Sequence, residues 1–300
     1  MTRAEEASLQ DYLSEQVPLI DRALNEWVPE EDVAPVSIHR AMRYSLFAGG
    51  KRIRPILAIA AARAVSDSPD GVENAACTLE LIHTYSLIHD DLPALDNDDL
   101  RRGRPTCHKV FGDAIAILAG DALLTLAFEV LSRLRHVNAD RKIRLVDELS
   151  RSAGTVGGMI AGQVNDIEGE RRHPTAHLLE SIHRAKTGAL LRASVRLGAI
   201  YAGAMEDELA ALSSYGEHVG LAFQIIDDVL DVEESSEALG KTAGKDEAQQ
   251  KITFPAVYGL ARSREMAEEE RLAAHTALRI FDDRAERLRQ IADFIVHRKA

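Results

Sequence analysis

The stretch LIHTYSLIHDDLPALD, residues 81–96, decides the fold. Its first ten residues carry apolar side chains on nearly every side, so no face is left for solvent. A helix of that kind belongs in the middle of a helical bundle. Pro93 cannot continue it, because proline lacks the N–H and clashes with the preceding turn, and the helix should end near Leu92. Asp90 and Asp91 therefore stand at the end of a buried helix. Asp96 returns on the loop beyond, since six residues along a straight helix would point it away from Asp90.

Working outward, Asn74 to Leu92, Asp113 to Leu134 and Ala210 to Val232 all read as long, largely apolar helices. Ala, Leu, Glu and Arg dominate, aromatics reach only 5%, and alternating apolar/polar runs are absent, as expected of helices. Breaks fall at Gly49-Gly50, Ser66 to Gly71, Pro93, Arg102 to Pro105, Gly169 to Pro174 and Gly240 to Gly244, and none is a long linker. The expectation is all-α: a single domain over residues 1–300, built of ten or more helices. From Arg262 onward the chain is charge-rich and amphipathic, as outer helices are.

Composition excludes several classes. A hydrophobic share of 46% rules out wholesale disorder, and two cysteines, Cys77 and Cys107, rule out a disulfide scaffold or a four-cysteine zinc site. A net charge of −12 argues against a general nucleic-acid partner. Runs such as Ile56 to Ala62 fall far short of the roughly 18 residues that span a bilayer. The acidic first residues lack the apolar core of a signal peptide, so a cytoplasmic protein is expected.

Adjacent aspartates occur four times, at 90, 98, 227 and 282. The last lies among arginines and reads as a solvated face. Asp227 and Asp231 are one helical turn apart on one face and follow the apolar run Leu221 to Ile226. Buried carboxylates cost several kcal/mol each unless a cation meets them. Oxygen donors without sulfur or imidazole suit Mg²⁺, which keeps waters and bridges to phosphates. The bland reading of each cluster is an ion-pair or capping network.

The cations are clumped too. Gly49-Gly50-Lys51-Arg52-Ile53-Arg54-Pro55 places three in seven residues beside flexible glycines, and Arg101-Arg102-Gly103-Arg104 follows the first aspartates directly. Guanidinium forks bind phosphate oxygens in pairs, and glycine lets backbone N–H groups approach. Acids for a metal and cations for phosphate, inside an apolar bundle, suit a diphosphate bearing an oily tail. A Walker-type P-loop is absent.

These segments, with FGDAIAILAGDALLTLAFE at 111–129, GGMIAGQVNDIEGE at 157–170, IHRAKTGALLRASVRLGA at 182–199 and GLAFQIIDDVLDV at 220–232, resemble the trans-isoprenyl diphosphate synthases. The resemblance is nearest to the farnesyl-producing bacterial members and covers almost the whole chain. It implies a homodimeric all-α prenyltransferase that joins isopentenyl diphosphate to an allylic diphosphate, with farnesyl diphosphate as product. It implies a Mg²⁺ cluster, three ions with substrate bound, held by Asp90, Asp91 and Asp96 with Asp227, Asp228 and Asp231 opposite. Arg101, Lys186, Lys241 and Lys251 would grip the allylic diphosphate, and Thr187 and Gln224 would line its reacting carbon. Isopentenyl diphosphate would lie against Lys51, Arg54, His83 and Arg102. Arg298-Lys299 resembles a basic tail that closes over the site.

The resemblance also makes the residues four and five before Asp90, Ser86 and Tyr85, determinants of product length, together with the Pro93-Ala94 insertion. At a rise of about 1.5 Å per residue, Tyr85 lies roughly 7.5 Å below Asp90, deep enough to act as a floor for a fifteen-carbon chain. A geranylgeranyl product is the alternative, and a non-catalytic subunit of a heteromeric synthase a more remote one, since such subunits usually lose aspartates. The His89-Asp90 pair also resembles a metal-dependent phosphohydrolase dyad, which leaves the second aspartate cluster unexplained. A class I terpene cyclase would lack the isopentenyl-binding cations.

Overall fold

The computed structural model describes residues 3–169, 175–233 and 252–298. In chain order the helices are α1 (Arg3–Trp27), α2 (Val36–Leu46), α3 (Ile53–Val65), α4 (Val72–Asp90), α5 (Cys107–Phe111), α6 (Asp113–Arg133), α7 (Ala139–Ala153), α8 (Met159–Gly169), α9 (Ala176–His183), α10 (Ala189–Ala202), α11 (Glu206–Glu233), α12 (Phe254–Tyr258), α13 (Leu260–Ala277) and α14 (Glu286–His297). A π-helical turn, Arg184–Gly188, joins α9 to α10. The expected all-α architecture is what forms.

The three long apolar stretches become α4, α6 and α11. α4 stops two residues before Leu92 because the chain tightens there: the Leu92 N–H bonds back to the His89 carbonyl, three residues away. One small sheet was not expected from the sequence. Strands β1 (Leu100–Arg101) and β2 (Arg104–Pro105) pair antiparallel around Arg102 and Gly103, both at positive φ. Two-residue strands are too short to show alternation.

At the centre α3 packs on α10 and on α4, α4 packs on α6, and α10 on α11. α3 is buried from Pro55 to Ala62, which explains its lack of a polar face. Gly198 of α10 lies directly on the Ala58 carbonyl, so any side chain there would force the two helices apart. α13 covers α11 on the outside. A second apolar cluster, including Leu179, Ile225, Val229 and Phe254, underlies the DDVLD segment. Truncating such residues to alanine costs about 2–5 kcal/mol.

Among the described residues α6 is the one helix long and apolar enough to cross a membrane by length and composition. Ala116, Ala119, Leu123, Ala127 and Val130 bury one of its sides, and Ile117 and Leu118 stay exposed on another.

Candidate active site

The first aspartate cluster is built by the end of α4 and a closed loop. Pro93 stops the helix, and the chain folds back so that the Asp96 N–H bonds the Asp90 carbonyl at 2.8 Å and the Asp98 N–H bonds that of Asp91 at 3.1 Å. Asn97 takes the left-handed conformation that lets the loop close. Asp96 thus returns to the helix end as expected. Burial pushes the Asp90 carboxyl up to about 6; the charges of Asp96 and Asp91 add to this, and Lys186 and Arg101 oppose it.

Asp91 has a different environment. It is buried, and Arg101 clamps it: Nε donates to both carboxylate oxygens at 2.9 Å and Nη2 to Oδ1 at 2.6 Å. Arg101, read from the sequence as a diphosphate ligand, holds the loop to the helix end in this structure.

The second cluster rides on α11. Asp227 and Asp231 are exposed and share a face, whereas Asp228 is buried. Asp228 accepts from the Phe254 backbone N–H and the Gln224 amide, each at 2.9 Å. His183 Nε2 lies 3.5 Å from the same carboxylate, its ring stacked on Phe254. Burial drives the His183 ring down to about 4, so it is neutral at pH 7. Asp228 anchors α12 to α11, and the Gln224 amide is fixed in the same network.

Lys186 and Thr187 come from the π-helical turn between α9 and α10. Such turns carry one extra residue and gather at functional sites. Gly162 of α8 lies against the Lys186 backbone on one side, and Gly188 packs on Gly220 of α11 on the other. Asp166 of α8 holds Lys186 Nζ at 2.5 Å. Neither Asp166 nor His183 was singled out from the sequence; the available signal was the pair of acids, Asp166 and Glu168, at the end of the largely apolar α8.

The basic motif divides into two jobs. Arg52 is buried in a left-handed conformation and bonds Asp21, Glu80 and the Leu46 carbonyl at 2.7–2.9 Å. It is a structural staple between α1, α2 and α4. Lys51 is exposed, and the Nε of Arg54 is buried with no hydrogen-bond partner. His83 of α4 is held well below its usual pKa, first by burial and then by Arg54, Arg102, Arg101 and Arg52. Arg102 caps the Gly49 carbonyl, and its guanidinium packs where a side chain on Gly50 would lie. Arg54, Arg102 and His83 therefore share one electropositive corner, and Lys51 stands exposed three residues before Arg54. Asp227 is close enough to act on Arg54 electrostatically, which ties this corner to the second aspartate cluster.

Tyr85 is buried on α4, its hydroxyl unpartnered and its ring edge-on to His89. His89 bonds the Ile117 carbonyl of α6. Ser86 Oγ bonds the His83 carbonyl of its own helix. Lys241 and Lys251 lie outside the described residues.

The donor set fits Mg²⁺. Asp90, Asp96, Asp227 and Asp231 are oxygen donors only, and the raised Asp90 carboxyl favours a nearby cation. Among the described residues no three His, Cys, Asp or Glu side chains make a metal site by themselves. An all-oxygen donor set suits an ion that completes its shell with water and phosphate.

A polyprenyl synthetase family model matches residues 35–293. The large subunit 1 of a heterodimeric geranylgeranyl pyrophosphate synthase from Arabidopsis thaliana is 48% identical, covering 96% of this chain and 79% of that protein. A farnesyl diphosphate synthase from Geobacillus stearothermophilus is 44% identical over 97% of this chain and 98% of its own length. The crystal structure of an FPP/GFPP synthase from Zymomonas mobilis superposes with a TM-score of 0.86 at 35% identity, covering 97% of this chain and 99% of that one. With carboxylates, arginines and the lysine-bearing turn gathered at the core of an all-α bundle, the chain belongs to the polyprenyl synthetase family and is a prenyltransferase.

Proposed function

We propose that this prenyltransferase adds isopentenyl diphosphate head-to-tail to dimethylallyl or geranyl diphosphate and releases farnesyl diphosphate and diphosphate. The carrying observation is the meeting of two opposite surfaces in one site: Asp90 within electrostatic reach of Asp96, Lys186 and Arg101, and His83 within reach of Arg101, Arg102 and Arg54.

Lys51, Arg54, Arg102 and His83 take the diphosphate of isopentenyl diphosphate, His83 as a neutral hydrogen-bonding group because the arginines keep it uncharged. The allylic diphosphate lies between the aspartate clusters, where Asp90, Asp96, Asp227 and Asp231 would hold the Mg²⁺ ions. Asp91 and Asp228 act through their protein partners, orienting the loop and α11. Mg²⁺, which the family generally uses, supplies electrostatic stabilisation of the departing diphosphate. Lys186, aligned by Asp166, adds a positive charge there. The apolar helices keep water from the allylic cation, and the Thr187 hydroxyl and Gln224 amide offer it partial negative charge. Holding the double bond against that carbon replaces a bimolecular encounter. The proton leaves to the released diphosphate, so no protein base is required.

Tyr85 supports the fifteen-carbon product: its ring is buried on α4, five residues before Asp90 and near enough for that carboxylate to act on its hydroxyl. A second reading, a geranylgeranyl product, is favoured by the names of relatives at 46–50% identity. The protein is proposed to be cytoplasmic and to act as a homodimer, the pairing being supported by apolar side chains exposed on α6 and α8. Incubation with Mg²⁺, isopentenyl diphosphate and dimethylallyl, geranyl or farnesyl diphosphate, followed by chain-length analysis, tests the proposal. Farnesyl diphosphate from the first two starters is expected; elongation of farnesyl diphosphate would favour the second reading, and no product from any starter would reject both.

A further inference from the structure

The β1–β2 hairpin sends two arginines to different parts of the site, yet strands of two residues each cannot hold a position by themselves. Arg101 reaches Asp91, and Arg102 at the tip acts on the corner of Arg54 and His83. Arg102 has a φ of 53°, a left-handed conformation that a residue other than glycine keeps only when its surroundings impose it. Part of that support comes from α2. Tyr44, in its last turn, donates its hydroxyl hydrogen to the Pro105 carbonyl of β2 at 2.8 Å. The same ring carries the Arg104 guanidinium 4.6 Å from its centroid and meets Phe111 of α5 edge-on at 5.5 Å. Arg101 and Arg104 stand directly opposite each other across the ladder, a like-charge pair that would push the strands apart. Each instead has its own partner, Asp91 for one and the face of Tyr44 for the other.

We infer that Tyr44 is a positioning residue for Arg102, and through it a determinant of affinity for isopentenyl diphosphate. This rests on the assignment of the Arg102 corner to that substrate and adds the element that holds the corner in place. The contacts of Tyr44 are with Arg104, Pro105 and Phe111, so it acts through the backbone of the hairpin. The two site arginines respond differently when that tie is lost. Arg101 is clamped to Asp91 at 2.6–2.9 Å and keeps its place. Arg102 is exposed and grips the Gly49 carbonyl, which belongs to a glycine pair at positive φ and is free to follow it. A displaced hairpin therefore moves Arg102 more than Arg101.

The KM values for isopentenyl diphosphate and for geranyl diphosphate, measured separately with Mg²⁺ present, report the two arginines apart. Tyr44→Phe keeps the ring under Arg104 and loses the bond to Pro105. It should raise the KM for isopentenyl diphosphate roughly threefold, as expected of one hydrogen bond. Tyr44→Leu loses the ring face as well and should raise it about tenfold. In both variants the KM for geranyl diphosphate and kcat should change by the smaller factor. In an Arg102→Ala background, Tyr44→Phe should add nothing to the KM for isopentenyl diphosphate, because the group it positions is gone. A side chain that only stabilised the fold would lower the melting temperature and leave both KM values unchanged or shift them together, and either pattern would overturn the inference. An unchanged KM in Arg102→Ala alone would reject the assignment of that corner, and the inference with it. A raised KM in Arg102→Ala with none in either Tyr44 variant would reject the role of Tyr44 and leave the corner standing.

Discussion

Burial raises both Asp90 and Asp91, but only Asp91 carries an arginine clamped to its carboxylate, so removing the two should affect stability differently. Burial and Asp96 lift the Asp90 carboxyl from 3.8 to about 6. Below pH 3.8 the group is protonated whether the chain is folded or not, and it costs nothing. Between pH 3.8 and 6 the unfolded chain ionises first, so folding stability falls, and above 6 the loss is complete. The displacement corresponds to about 3 kcal/mol in the ligand-free protein. Asp90→Asn should therefore raise urea stability at pH 7 by up to about 3 kcal/mol and flatten its decline between pH 4 and 6, while turnover falls by about two orders of magnitude or more. Asp91→Ala should do the reverse to stability. It strands the part-buried Arg101 guanidinium and unties the loop, costing about 1–3 kcal/mol. Equal responses of the two variants in urea melts would contradict the division of labour. The sequence presents these residues as equivalents, because charge and adjacency are visible in it and hydrogen-bond partners ten residues away are not. Arg52 and Arg54 repeat the lesson: two cations in one motif, one consumed by Asp21 and Glu80 and one pointing at the site.

At the scale of the element, the end of α4 was legible, since Pro93 dictates it, and so was the shared face of Asp227 and Asp231. The π-helical turn was not. An i→i+5 turn has no hydrophobic period or cap of its own, and Arg184–Gly188 reads as ordinary helix. Its position depends on glycines in the neighbouring helices. Gly162→Ala would drive a methyl into the Lys186 backbone, so it should lower kcat at least tenfold, with a smaller effect on the KM for isopentenyl diphosphate. Preserved kcat would show that the turn tolerates displacement. α4 also serves as the ruler for product length. Tyr85→Ala removes a buried ring below Asp90 and deepens the space by most of an aromatic side chain. Products should shift from fifteen carbons to twenty or more, as measured by chromatography of the dephosphorylated alcohols. An unchanged distribution would place the floor elsewhere, with α6 across from His89 the next wall to probe.

For the whole molecule, the all-α class followed from helices with no polar face, because such helices have nowhere to go but one another's flanks. What periodicity could not assign is the apolar surface left over after that packing. α6 exposes Ile117 at 44% and Leu118 at 53%, and α8 exposes Ile160, Val164 and Ile167 at 40–47% in an i, i+4, i+7 stripe. A stripe with that spacing is one helix face, and faces of this kind mark contacts with another chain. A second copy of the same chain fits it with no further component, since a two-fold interface sets each patch against itself. Leu118→Glu with Val164→Glu would place charges in that interface. The wild type should sediment as a dimer near twice its 32.9 kDa mass, and the double variant as a monomer with its helical circular dichroism retained. A dimer that survives both charges would move the interface to another face, and a wild-type monomer would leave these helices exposed for a different partner. Because α6 also packs on α4 and α8 holds Lys186 through Asp166, loss of pairing should reach the site. The monomer is expected to keep its fold and lose most of its turnover, with thermal melting and kcat measured on the same preparation.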